Sequence, residues 1–131
     1  MQNNFNRKDN RKKGRFGEEE AKEYLQKEGY FILDQNYQVR DGEIDIIARD
    51  DEYLIFVEVK ARNKMDYGRP MEAVTKSKQK KIIKTAEYYL YEHQNLNYQP
   101  RFDVVEVNFS TNKIKHIKNA FWIGDWRCIL K

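Results

Sequence analysis

Asp45, Glu58 and Lys60 are the residues of this chain whose types and spacing could do chemistry. They sit in two mostly apolar runs, Glu43–Arg49 and Tyr53–Ala61, separated by the polar Asp50, Asp51 and Glu52. Such a pattern predicts a β-hairpin. Side chains alternate along a strand, so Glu43, Asp45 and Ile47 share one face, and Leu54, Phe56, Glu58 and Lys60 share the matching face of the partner. Ile44, Ile46, Ile55, Val57 and Val59 are then predicted to line the opposite face as core. With the turn centred between Asp51 and Glu52, Asp45 lies across from Glu58, Glu43 from Lys60 and Ile47 from Phe56. A three-residue loop would shift this register by one. Facing residues have Cβ atoms about 4.5–5.5 Å apart. Two carboxylates that close repel each other, and burial raises the cost. A divalent cation between them relieves it, and oxygen donors of this kind suit Mg²⁺ or Mn²⁺. The ion polarises a phosphoryl oxygen and lowers the pKa of a bound water. Lys60 points to the same side, where its ammonium can orient that water or neutralise a phosphate. The chemistry would be phosphodiester hydrolysis. An ordinary cross-strand charge cluster is the competing reading.

The elements that must position these groups are legible as a coarse order. A first helix is predicted over about Lys13–Glu28, stopped by Gly29. Tyr30–Leu33 and Tyr37–Val39 read as extended, bent at residues 34–36. Asp41 and Gly42 form a turn signal, and the hairpin follows. Gly68, Arg69 and Pro70 close a loop. A second helix is predicted over about Met71–His93, and strands over Phe102–Phe109 and Lys113–Lys118. The order α-β-β-β-α-β-β predicts an α/β domain, a mixed sheet with helices against it.

With 131 residues, 40% of them hydrophobic and 14% aromatic, the chain has the makings of one domain with one core. The longest apolar run is Tyr53–Val57, too short for a membrane span. The first residues are polar, unlike a secretory signal, and Cys128 is the only cysteine. These features predict a cytoplasmic protein. The formal net charge of +4 is concentrated in residues 1–13, which hold five Lys/Arg and one Asp. They read as a flexible basic arm whose Lys12 and Lys13 could meet phosphates. Residues 14–118 form the domain. Residues 119–131, with Trp122 and Trp126, form an apolar tail that packs on the domain or on a second copy in a homodimer.

Gly42–Ile47 (GEIDII) and Phe56–Arg62 (FVEVKAR) resemble the core motifs of the PD-(D/E)xK superfamily of restriction-endonuclease-like nucleases and Holliday-junction resolvases. More narrowly, Gly14–Glu18 with Ala21, Gly29, Tyr30, Asn36, these motifs, Gly68, Ala73, Val74, Lys78 and Arg101–Asp103 resemble the YraN-like family of small bacterial proteins. The likeness covers about residues 14–121. It implies a restriction-endonuclease-like αβββαβ core, a divalent metal and a nucleic-acid substrate. Asp45 matches the motif's first acid, Glu58 its second and Lys60 its lysine. Ile44 stands where the motif's name has proline. Glu18 matches the acid that related resolvases carry on the first helix, which makes it a further candidate ligand and catalytic group.

The remaining candidates are supporting ones. Glu43 is expected to pair with Lys60 and hold it in place. Lys78 lies on the apolar stripe of the second helix, four residues after Val74 and four before Ile82, and could reach the Asp45–Glu58 site. Lys76, Lys80 and Lys84 recur every four residues beside Lys81, a basic ridge able to follow a phosphate backbone. Arg62 and Arg69 flank the loop and could bind phosphate. Asp103 reads as a structural acceptor, His116 as isolated, and Tyr88, Tyr89 and Tyr91 as packing residues. The residues and the resemblance together predict a metal-dependent nuclease acting on DNA, branched or otherwise structured DNA included, with a non-catalytic nucleic-acid-binding module on the same fold as the alternative.

Overall fold

The structure is a computed structural model that describes residues 2–62, 74–94 and 97–121, with side chains from Arg15 onward. Its elements are α1 (Gln2–Lys27), β1 (Phe31–Val39), β2 (Gly42–Arg49), β3 (Tyr53–Arg62), α2 (Lys76–Glu92), β4 (Gln99–Asn108) and β5 (Lys113–Phe121). The strands form one sheet in the order β1-β2-β3-β4-β5. β3 and β4 are parallel and the other neighbours antiparallel, so the sheet is mixed. The parallel pair needs a crossover, and α2 lies in that connection. This is the α/β architecture that the element order predicts, and it is consistent with the αβββαβ core that the resemblance implies.

The helices take opposite faces of the sheet. Ala21 and Leu25 of α1 join Ile46, Ala48, Ile55, Val57, Val105 and Val107 in one core. Ile82, Ala86, Tyr89 and Leu90 of α2 join Ile44, Ile47, Leu54, Phe56, Phe102 and Val104 in the other. Helix α1 ends in a glycine cap. Gly29 has φ +95° and the Tyr30 N–H donates to the Leu25 carbonyl at 3.0 Å. Helix α2 opens on Thr75, whose hydroxyl accepts from the Lys78 N–H at 3.1 Å.

Several boundaries differ from expectation. Helix α1 starts at Gln2 rather than about Lys13, so the basic segment is helical in backbone. The two extended segments before the hairpin are one strand, β1, irregular between Ile32 and Asp34 and with Asn36 at φ 53°. Strand β5 runs on to Phe121, which packs in the α2-side core. Arg69, the Gly68–Pro70 loop and the tail from Trp122 lie outside the described residues.

A tight contact sets α2 against the start of β2. A Cβ on Gly42 would overlap Thr85 Oγ1 and come within 3.3 Å of the Lys81 carbonyl. Thr85 is buried and donates to that carbonyl at 2.7 Å. Gly42 therefore lets α2 approach one residue before Glu43.

Candidate metal and nucleic-acid site

The hairpin register is the expected one, but only along part of its length. Ile46 pairs with Val57, Ile47 with Phe56, Ala48 with Ile55 and Arg49 with Leu54, and the ladder stops there. Beyond it β2 stays with β1 down to Gly42, and β3 stays with β4 up to Arg62. The two strands fork at Asp45. Instead of facing Glu58 in a regular ladder, Asp45 turns its side chain into the fork, where Oδ2 accepts the Val59 N–H at 2.8 Å. The carboxylate stands in for a strand carbonyl. Alternation breaks at the same point. Ile44 and Ile47 both reach the α2-side core, whereas Ile46 reaches the α1 side. The expectation that Ile44 and Ile46 share a face is therefore corrected.

Asp45 and Glu58 still meet. Their charges interact, and burial raises both pKa values. For Asp45 the Val59 N–H works against that rise and the Glu43 charge adds to it. For Glu58 burial acts first, the Asp45 charge adds to it, and Lys78 and Lys60 only partly offset both, so its pKa is pushed up to about 7. Lys78 Nζ lies 3.8 Å from Glu58 Oε1, as its place on the helix predicts.

Glu18 of α1 reaches the fork from the other layer. Carboxylate oxygens of Glu18, Glu43 and Asp45 lie within 4.8 Å of one another. Burial raises the Glu18 pKa, and the Asp45 and Glu43 charges add to it, while Asn36 lowers it. With its amide nitrogen turned toward the acids, Asn36 donates to Glu18 Oε2 at 3.1 Å and to Glu43 Oε1 at 3.2 Å. Its positive φ, which asparagine tolerates better than most residues, sets that position. Asn36 joins the candidate site; the spacing argument passed it over, although it is among the residues that carry the family likeness.

The donor set fits a hard divalent cation. It is all carboxylate oxygen, with Glu18 and Asp45 partly buried and Glu43 exposed, and the neighbouring acids help raise the pKa values of Glu18 and Asp45. Glu18, Glu43 and Asp45 would hold the ion, with Glu58 against Asp45. Glu43 thus belongs with the acids rather than with Lys60. The neighbour of Lys60 in register is Glu106 on β4, and Glu106 in turn pairs with Lys115 on β5. Arg62, expected to meet phosphate, donates to Glu106 Oε1 at 2.8 Å.

Of the lysines expected to meet phosphates, Lys76, Lys80, Lys81 and Lys84 are all exposed on α2. Lys12 and Lys13 fall on α1, their side chains outside the described residues. Tyr89 is a packing residue at 3% exposure, but Tyr88 at 49% and Tyr91 at 73% are not. His116 is not isolated. It lies 2.7 Å from Asp103 Oδ2 through Nε2 and 3.1 Å from the Tyr24 hydroxyl through Nδ1. Arg101 donates to both Asp103 oxygens and to the Tyr30 hydroxyl, and the Asn119 N–H adds another bond to Asp103. This network ties β4 and β5 to α1 on the face away from Lys78, and it makes Asp103 the structural acceptor its position predicts.

Residues 17–107 match the profile of a family described as "Uncharacterised protein family UPF0102". A UPF0102 protein of Clostridioides difficile is 50% identical over 113 residues, 86% of this chain and 98% of the relative. One from Clostridium acetobutylicum is 46% identical over 118 residues, covering 87% and 97%. One from Persephonella marina is 46% identical over 109 residues, covering 83% and 92%.

Proposed function

The chain belongs to the uncharacterised protein family UPF0102, and we propose that this member is a metal-dependent nuclease that hydrolyses phosphodiester bonds in DNA, branched or otherwise structured, in the manner of the PD-(D/E)xK superfamily. One observation carries the reading: Glu18, Glu43 and Asp45 bring carboxylate oxygens within 4.8 Å of one another at the β2–β3 fork. Unneutralised, that grouping is costly. Bound Mg²⁺ or Mn²⁺ would supply a Lewis acid for a phosphoryl oxygen and a water of lowered pKa.

The chain's own residues do the rest. The Val59 N–H fixes the direction of the Asp45 carboxylate. Asn36 holds Glu18 and Glu43 in their relative positions. Lys60, close enough to Glu58 to lower its pKa, offers an ammonium for the charge that builds on a phosphate in attack. Lys76, Lys80, Lys81 and Lys84 supply backbone contacts that position a strand without reading its sequence.

The second reading, a nucleic-acid-binding module with an idle site, has one observation of its own. Lys78 already lies 3.8 Å from Glu58 and neutralises part of the cluster without a metal. A cleavage screen over branched, nicked and single-stranded DNA, with Mg²⁺ or Mn²⁺ and with chelator, separates the two. The nuclease cuts at least one substrate, only with metal, and not as the Asp45→Asn variant. Binding without cleavage under every condition favours the idle site.

A further inference from the structure

Helix α2 carries more than a row of lysines. Lys80, Lys84, Tyr88 and Tyr91 follow one another at spacings of four, four and three, so they line one face of the helix. All four are exposed, while Ile82, Thr85, Ala86, Tyr89 and Leu90 are buried on the face toward the sheet. A cleft of about 250 Å³ lies beside this ridge, lined by Lys80, Lys81, Lys84, Thr85 and Tyr88 of α2 and by Val39 and Asp41 from the β1–β2 turn. Exposed tyrosines next to three lysines are the two ingredients of a single-strand track: ammonium groups for phosphates and rings for unpaired bases. A duplex buries its base faces in the stack and offers nothing for Tyr88 or Tyr91 to cover.

We propose that this ridge binds single-stranded nucleic acid, with backbone phosphates on Lys80, Lys81 and Lys84 and bases stacked on Tyr88 and Tyr91. The proposal rests on the nuclease reading for its direction. Lys78 touches Glu58 at the fork, and Tyr88 lies ten residues further along the same helix, about 15 Å away at 1.5 Å per residue. That length accommodates a few nucleotides, at roughly 3.4 Å rise per nucleotide in a stacked strand. The substrate it selects is DNA with an unpaired segment leading away from the cut: a flap, a gap or a splayed arm.

The test is binding rather than cleavage. Full-length protein in chelator is titrated against a fluorescent oligothymidylate about 12 nucleotides long, within the usual range for one domain, and against a blunt duplex of equal length. The single strand is expected to bind more tightly. Tyr88→Ala and Tyr91→Ala should each weaken it about fivefold or more, and Tyr88→Phe should not. Lys84→Ala should weaken it too and reduce the salt dependence by about one ion. Single-strand affinity unchanged by both alanine variants overturns the track and leaves the nuclease reading standing. Preferential duplex binding does the same. Absence of binding to either nucleic acid overturns both. Tyr88-dependent binding of polyglutamate in place of the oligonucleotide assigns the ridge to an acidic protein partner and overturns the proposal.

Discussion

The Asp45 side chain accepts the Val59 N–H at 2.8 Å at the point where the β2–β3 ladder ends. A single carboxylate thereby closes the backbone fork and also lies within 4.8 Å of carboxylate oxygens of Glu18 and Glu43. These two jobs can be separated by substitution. Asn at position 45 keeps an oxygen for Val59 and loses the charge, so Asp45→Asn should remain as stable as the parent while losing any metal-dependent cleavage. Leu at position 45 leaves a half-buried N–H unpaired, and Asp45→Leu should lose about 1–3 kcal/mol in urea denaturation. Equal stability of the two variants would contradict the bridging role.

The same crowding sets a pH dependence for the metal-free protein. Burial and the Asp45 charge push the Glu58 pKa up to about 7 in the folded state, from an ordinary value of 4.5. The folded chain then holds a proton that the unfolded chain has released, and stability falls as pH rises between those values. Chemical denaturation in chelator should show that decline from about pH 4.5 to 7, and Glu58→Gln should flatten it. A flat profile for the parent would count against the close acids.

Asp103 gives the opposite sign. Burial pushes its pKa up, but the bonds from His116, Arg101 and the Asn119 N–H outweigh that and leave it below its ordinary 3.8. Its contribution is therefore full above about pH 4 and is lost as pH falls below that. Asp103→Ala removes the shared partner of Arg101 and His116 and should cost about 3–5 kcal/mol, as breaking a buried pair does. A loss under 1 kcal/mol would mean the network is dispensable.

Much of this was legible in the chain and some was not. The polar Asp50–Glu52 turn and the alternation on either side were enough to pair Ile47 with Phe56 and to bring Asp45 to Glu58. They could not show the fork, because strand periodicity assumes a continuous ladder and Asp45 competes for a backbone N–H that the ladder would have used. The grouping of Glu43 with Glu18 follows from that fork and from Asn36 at positive φ, neither of which has a period. Tyr88 and Tyr91 were readable in principle. Their spacing from Lys80 and Lys84 is helical, but aromatic content alone favours packing, and only the sheet's position shows which face of α2 is covered.

Gly42 links the fold to the site through α2. Gly42→Ala forces a methyl against Thr85 Oγ1, so α2 must shift or Thr85 must move. We expect a loss of about 1–3 kcal/mol, the usual cost of overpacking. Adding Thr85→Ala should recover part of it, a coupling that a double-mutant cycle measures. Additive losses would show that the close approach is not the constraint.

Whether the acids at the fork hold one divalent cation is measured most directly by titrating Mn²⁺ into metal-free protein and following free Mn²⁺ by electron paramagnetic resonance. The parent is expected to take up a single ion, with affinity rising from pH 5.5 to 7.5 as the carboxyls ionise. Asp45→Asn should bind much more weakly, while Asp103→Asn, in the separate Arg101–His116 network, should match the parent. Uptake unaffected by Asp45→Asn, or no uptake by the parent at millimolar Mn²⁺, would contradict the account.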